Sequence, residues 1–115
     1  MSPHAPTKML RLHAVAAMTI AATLAHAARP AVEAALALPR TEPRHYVQAV
    51  VALTDLGATD EASTVADELL ALDLEDPALV TLVEQVGTSG MVRLRKGAPQ
   101  TADLVDRALD AALAA

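Results

Sequence analysis

The chain has no cysteine, no tryptophan and no phenylalanine, and Tyr46 is its single aromatic side chain. Without cysteine there can be no disulfide, no thiolate metal site and no cysteine nucleophile. Without large rings a core must be filled by Val, Leu, Ile, Met and Ala. These side chains bury little area each, so the elements that carry them have to approach closely. Alanine dominates the composition and is the strongest helix former. Both facts point to packed helices rather than to a sheet. With 115 residues there is room for one domain with a core of modest size.

Acidic residues are missing from the first part of the chain. None occurs before Glu33, while Lys8, Arg11 and Arg29 are basic. The whole sequence carries a net charge of −5, which opposes a nucleic-acid partner because phosphates would be repelled. Long hydrophobic runs are also missing. The stretch Ala14 to Ala28 carries no charge and has 15 residues, fewer than the roughly 20 that a membrane-spanning helix requires. No membrane span is therefore expected.

Three segments can be distinguished. Residues 1–28 join a basic start to an alanine-rich run ending in Ala25-His26-Ala27, a small-x-small sequence. This pattern fits a packed N-terminal helix, and it also fits a secretory signal peptide cleaved after Ala27. The packed helix goes with a cytoplasmic protein and the signal with a secreted one. Residues 29–43 hold a short helix, Pro30 to Leu38, followed by a linker bounded by Pro39 and Pro43. Proline is harmless at a helix start and disruptive inside. Residues 44–115 form the helical domain proper.

The domain opens with a helical hairpin from His45 to Leu74. Tyr46, Ala49, Val50, Leu53 and Leu56 follow the spacing of one helical face, which Val47 and Val51 widen. Gly57 ends that helix, and Thr59 or Asp60 is placed to cap the next. Ala62, Val65, Ala66, Leu69 and Leu72 make the second inner stripe. Asp73, Glu75 and Asp76 surround Leu74 as a solvated acidic turn. Asp76-Pro77 then starts a third helix carrying Leu79, Leu82, Val83 and Val86. Gly87 to Gly90 breaks it. Met91 to Lys96 alternates apolar and basic residues, so Val92–Arg95 is a candidate short β element or an irregular helical turn. A last helix is expected from about Gln100 to Ala112. Gly57, Ala58, Ala62, Val65, Leu69 and Ala71 recur forty residues later as Gly97, Ala98, Ala102, Val105, Leu109 and Ala111.

The hairpin resembles the tetratricopeptide (TPR) repeat. Tyr46 stands in the first helix, Gly57 at the turn, Asp60-Glu61 just before Ala62, then Ala66 and Leu69. The repeat's leucine-glycine pair is absent where Ala49-Val50 stands, and its closing proline is displaced to Pro77. The resemblance covers about one repeat, Tyr46 to Pro77. It implies an all-α bundle of antiparallel helical hairpins that binds a protein partner or a second copy of itself. Val47, Val51, Leu70 and Leu74 supply surplus apolar surface for such an association.

A second reading has the same helices. In a winged helix-turn-helix regulator, Met91 to Lys96 would be the wing, and Arg93, Arg95 and Lys96 would meet phosphates. Against it, the helix that should enter the groove, Asp76 to Val86, has no Lys or Arg and contains Glu84. Arg93, Arg95 and Lys96 are accordingly the candidate partner or phosphate contacts. A third reading is a small exported helical protein, defined by its leader.

Catalytic, cofactor and metal motifs are not found. His4, His13, His26 and His45 have no metal-ligand spacing. Gly87-Thr88-Ser89-Gly90 lacks the spacing of a phosphate loop and its Lys-Ser/Thr ending. Ser63 and Ser89 have no nucleophile elbow around them. The sequence therefore predicts an all-α, non-enzymatic binding or scaffold module without cofactor.

Overall fold

Proline and glycine divide the chain into its helices. The computed structural model describes residues 29–115. The alanine-rich segment 1–28, read as packed helix or export signal, lies outside the described residues. Among the described residues, helix α1 covers 29–37 and stops before Pro39. Helix α2, Pro43–Asp55, begins on proline, where the missing N–H costs no hydrogen bond. Its first turn is closed by His45, whose Nδ1 accepts the backbone N–H groups of Thr41 and Glu42, each at 3.2 Å. It ends as expected at Gly57, with φ +76°. There the N–H of Gly57 donates to the Thr54 carbonyl at 3.0 Å and that of Ala58 to Leu53 at 2.9 Å, the Schellman arrangement.

Helix α3, Thr59–Ala71, differs from expectation at both ends. Its N-cap is Ala58, so neither Thr59 nor Asp60 caps it. Instead Asp60 and Glu61 lie in the first turn, where their charge suits the positive end of the helix. It stops three residues short of Leu74, because Asp73 takes a left-handed conformation, φ +51°. Aspartate tolerates that region better than most side chains. Helix α4, Asp76–Gly97, is capped by Glu75, and Asp76 is its first residue rather than its cap.

Helix α4 holds the main correction. Gly87 adopts φ +76° and ψ 166°, which bends the helix, but the chain resumes helical conformation at once. Val92–Arg95 is therefore helical, and no strand occurs among the described residues. The apparent alternation of Val92 and Leu94 with Arg93 and Arg95 hid a helical period. Met91, Leu94 and Ala98 are buried, whereas Val92 is 42% exposed. A short 3-10 turn, Pro99–Thr101, leads into α5, Ala102–Ala114. Thr101 is buried, with its hydroxyl donating to the Ala98 carbonyl at 2.7 Å.

The inner stripes of the hairpin hold in their middle and fail at their ends. Val47, Ala49, Val50 and Leu53 of α2 face Ala62, Val65, Ala66 and Leu69 of α3 in the core. Leu56 and Leu72, the last members of each stripe, are exposed. Val47 is core rather than surplus surface, while Val51, Leu70 and Leu74 pack against the core only in part.

Ion pairs show which way the helices run. Arg29 reaches Glu61 and Arg40 reaches Glu68, both at 3.2 Å, so α1 runs in the direction of α3. Arg93 near the end of α4 reaches Asp55 at the end of α2, so those two run together. Helix α5 spans the bend of α4, since Arg95 pairs with Asp106 at 3.1 Å and Arg107 with Asp76 at 3.6 Å.

The second glycine of the forty-residue echo does not repeat the first. Gly57 supplies a positive φ, whereas Gly97 supplies space, because a Cβ there would lie 2.5 Å from Thr54 Oγ1 and 3.2 Å from its Cβ. Gly97→Ala is therefore expected to destabilise the fold by about 1–3 kcal/mol through overpacking. Thr54→Ala in the same chain should restore most of the loss in a denaturation double-mutant cycle. Leu69→Asp, at a site with no exposure, should cost about 4 kcal/mol or more and abolish the cooperative melt.

Candidate functional site

The three basic residues singled out in the sequence do not form one surface. Residues 93 and 95 of a helix project about 200° apart, and their partners reflect this. Arg93 turns to α2, donating to Asp55 Oδ2 at 2.9 Å, and Arg95 turns to α5, donating to Asp106 Oδ1 at 3.1 Å. Lys96 is exposed, with no ion pair among the described residues. The arginines serve as ties between helices, with their charges matched by carboxylates.

More suggestive are two grooves beside α2. The first lies between α2 and α4 and encloses about 380 Å³. Val51 and Ala52 form one wall, Val86 and Gly90 the other, and Gln48, Gln85 and the Asp55–Arg93 pair supply the polar rim. The bend at Gly87 falls between the two residues of the α4 wall. A Cβ at Gly90 would lie 3.0 Å from Val86 Cβ, so the wall is tightly packed at this point.

The second groove, of about 350 Å³, lies between α1 and α2. Ala35, Leu38, Ala49 and Ala52 line it, with Arg40 and His45 at one end. It is the more apolar of the two, and Leu38 stands 67% exposed at its edge. Gln48 and Ala52 belong to both grooves and form the ridge that separates them.

Several polar side chains tie the described elements together. His45 closes the start of α2. Gln100 holds the turn before α5 to α3, donating to the Ser63 hydroxyl at 3.0 Å and to Asp67 at 3.2 Å. No group of three His, Asp or Glu side chains among the described residues is placed to hold a metal ion. No helix among them is long and apolar enough to cross a membrane. Neither groove was legible in the sequence. Gly87 and Gly90 were visible as a break, but not as the shaping of a wall.

No protein-family model, no curated protein and no solved structure matches the chain.

The pairs of Arg93 and Arg95 are exposed to solvent, with arginine side chains 57% and 45% accessible. Arg93→Ala and Arg95→Ala should each cost less than about 1 kcal/mol in urea denaturation, with the difference shrinking as salt is raised. A loss several times larger would mean that these contacts hold the bend of α4 together.

Proposed function

We propose that the chain is a non-catalytic helical interaction module whose partner, a protein segment or a second copy of the chain, lies in the groove between α2 and α4. The observation that carries this reading is the groove itself, with Val51 and Ala52 on one side, Val86 and Gly90 on the other, and a polar rim. Such a surface can take an apolar ridge while its rim satisfies the polar groups that flank it.

The helix order supports a TPR-like arrangement. The α2–α3 hairpin turns at Gly57, α4 runs beside α2, and α5 follows the direction of α3. Gln100 beside Ser63 and Arg107 beside the Leu74 carbonyl indicate that last relation. In such a stack the first helices of successive hairpins share one face, and here those are α2 and α4. The bend at Gly87 is a departure from the simple hairpin. The nucleic-acid reading has less support, because it requires a paired basic strand where residues 91–96 are helical.

Gln85→Trp tests the proposal. Gln85 is exposed on the groove's rim, so an indole there obstructs the groove without entering the core. Affinity capture from source cells should retain a protein with the unaltered chain and lose it with Gln85→Trp, at equal helical signal and melting temperature. Leu69→Asp serves as the unfolded control. A partner kept by Gln85→Trp would place the binding surface elsewhere.

A further inference from the structure

We propose that His45 is a pH-sensitive latch between α2 and the linker before it, residues 38–42. The neutral ring holds the linker, and the imidazolium releases it. The inference is independent of what the α2–α4 groove holds.

The first turn of a helix has backbone N–H groups without helical acceptors, and side chains take the place of those acceptors. In α2 this is done reciprocally. The Glu42 side chain accepts the N–H of His45, the third residue of the helix, while the His45 ring faces back toward the linker. Its Nδ1 accepts the N–H groups of Thr41 and Glu42, each at 3.2 Å, and stands 3.4 Å from the Thr41 hydroxyl. The arrangement is a capping box, in which the third residue is ordinarily glutamate or glutamine. Their side-chain oxygens remain acceptors at neutral and mildly acidic pH. An imidazole nitrogen does not. Nδ1 accepts only while the ring is neutral with its proton on Nε2, and a second proton turns it into a donor. Two backbone N–H groups and a ring N–H would then point at one another with no acceptor among them. The ring has to leave, and the N–H groups of Thr41 and Glu42 pass to water.

The charges around the ring decide whether anything compensates. Nε2 lies 3.7 Å from Glu42 Oε2, an oxygen already held by Arg44 Nε at 2.8 Å. Arg40 lines the same end of the α1–α2 groove as His45, with Glu68 of α3 at 3.2 Å and the centre of the Tyr46 ring at 5.8 Å. On the α4 side, Ala78, Thr81, Leu82 and Gln85 stand beside Glu42 and Pro43, and none of them titrates. An imidazolium thus meets one shared carboxylate and two guanidinium groups. Exposed pairs of this kind contribute little, so the lost acceptor prevails. The latch is closed at and above neutral pH. It opens as pH falls through the range in which imidazole takes up its proton. With 27% of the side chain exposed, protons reach the ring from solvent.

Opening is local. Val32 of α1 stays buried in the core, and Arg40 still reaches the Leu36 carbonyl and Glu68, each at 3.2 Å. What changes is the linker, together with the end of the α1–α2 groove that Arg40 and His45 line. A melting temperature would hardly register it, whereas individual amides do.

Amide exchange in the full-length chain is the test. Protection of the Thr41 and Glu42 N–H groups, corrected for the intrinsic rate at each pH, is compared at about pH 8 and about pH 5, the two sides of the imidazole range. It should fall by roughly fivefold, the factor that corresponds to an ordinary helix cap. The N–H groups of Ala62 and Leu79, which donate to the Ala58 and Glu75 carbonyls at the starts of α3 and α4, should not change. His45→Gln, whose amide oxygen accepts at either pH, should show no such fall. Ring nitrogen chemical shifts of His45 follow its protonation in parallel. Protection that is unchanged while the ring gains its second proton overturns the proposal. So does a neutral ring with its proton on Nδ1, a ring still neutral at the acid end, or an equal fall in His45→Gln.

Discussion

Close approach of helix backbones is the constraint on which this structure depends. The core contains no aromatic side chain, and five of its seventeen buried hydrophobic residues are alanines: Ala49, Ala62, Ala66, Ala98 and Ala108. Each alanine buries little apolar area, so stabilisation per residue is small. Bringing the helices together compensates, because dispersion contacts multiply at short range. Gly97 against Thr54 is the limiting case, where even a methyl group finds no space. The same constraint explains why larger side chains such as Leu53, Leu69, Leu79 and Leu94 sit at sites with no exposure. They fill what volume remains between helices held apart by alanine alone.

Charge then selects among the packings that small residues permit. Small, smooth helix faces specify orientation weakly, since many registers bring alanine against alanine. Each of the six arginines in residues 29–115 is paired with a carboxylate, and four of them bridge separate helices: Arg29, Arg93, Arg95 and Arg107. Exposed pairs contribute little net stability each. Their positions nevertheless agree with one arrangement: α1 alongside α3, α4 alongside α2, and α5 across the bend. The excess of acids is left on the outside, where it opposes binding to polyanions.

Helix periodicity made the all-α class and the central hairpin legible. Ala49, Val50 and Leu53, then Ala62, Val65, Ala66 and Leu69, are buried where their spacing put them. Gly57 was legible for the same local reason, since the helix end requires a positive φ. What could not be read was non-local. Alternation over six residues is compatible with both periods, and only the burial of Met91 and Ala98 on either side of Leu94 decides for helix. The C-terminal end of α3 was not legible because Asp73, an ordinary-looking acid in a run of acids, adopts the left-handed conformation that stops the helix. The basic residues at 93, 95 and 96 read as a patch in one dimension. In three, the helical turn between Arg93 and Arg95 sends them to different partners.

Helix α2 is where these constraints meet the two grooves. Its buried side binds α3 through Val50 and Leu53, and its outer side carries Gln48 and Ala52, one turn apart, between two grooves. A surface helix of a self-contained bundle would be expected to present a charged outer face. Here the charges, Arg44 and Asp55, stand at the two ends of the helix, and between them it presents an amide and a methyl group. The bend at Gly87 falls between Val86 and Gly90, the two α4 residues that line the groove facing α2.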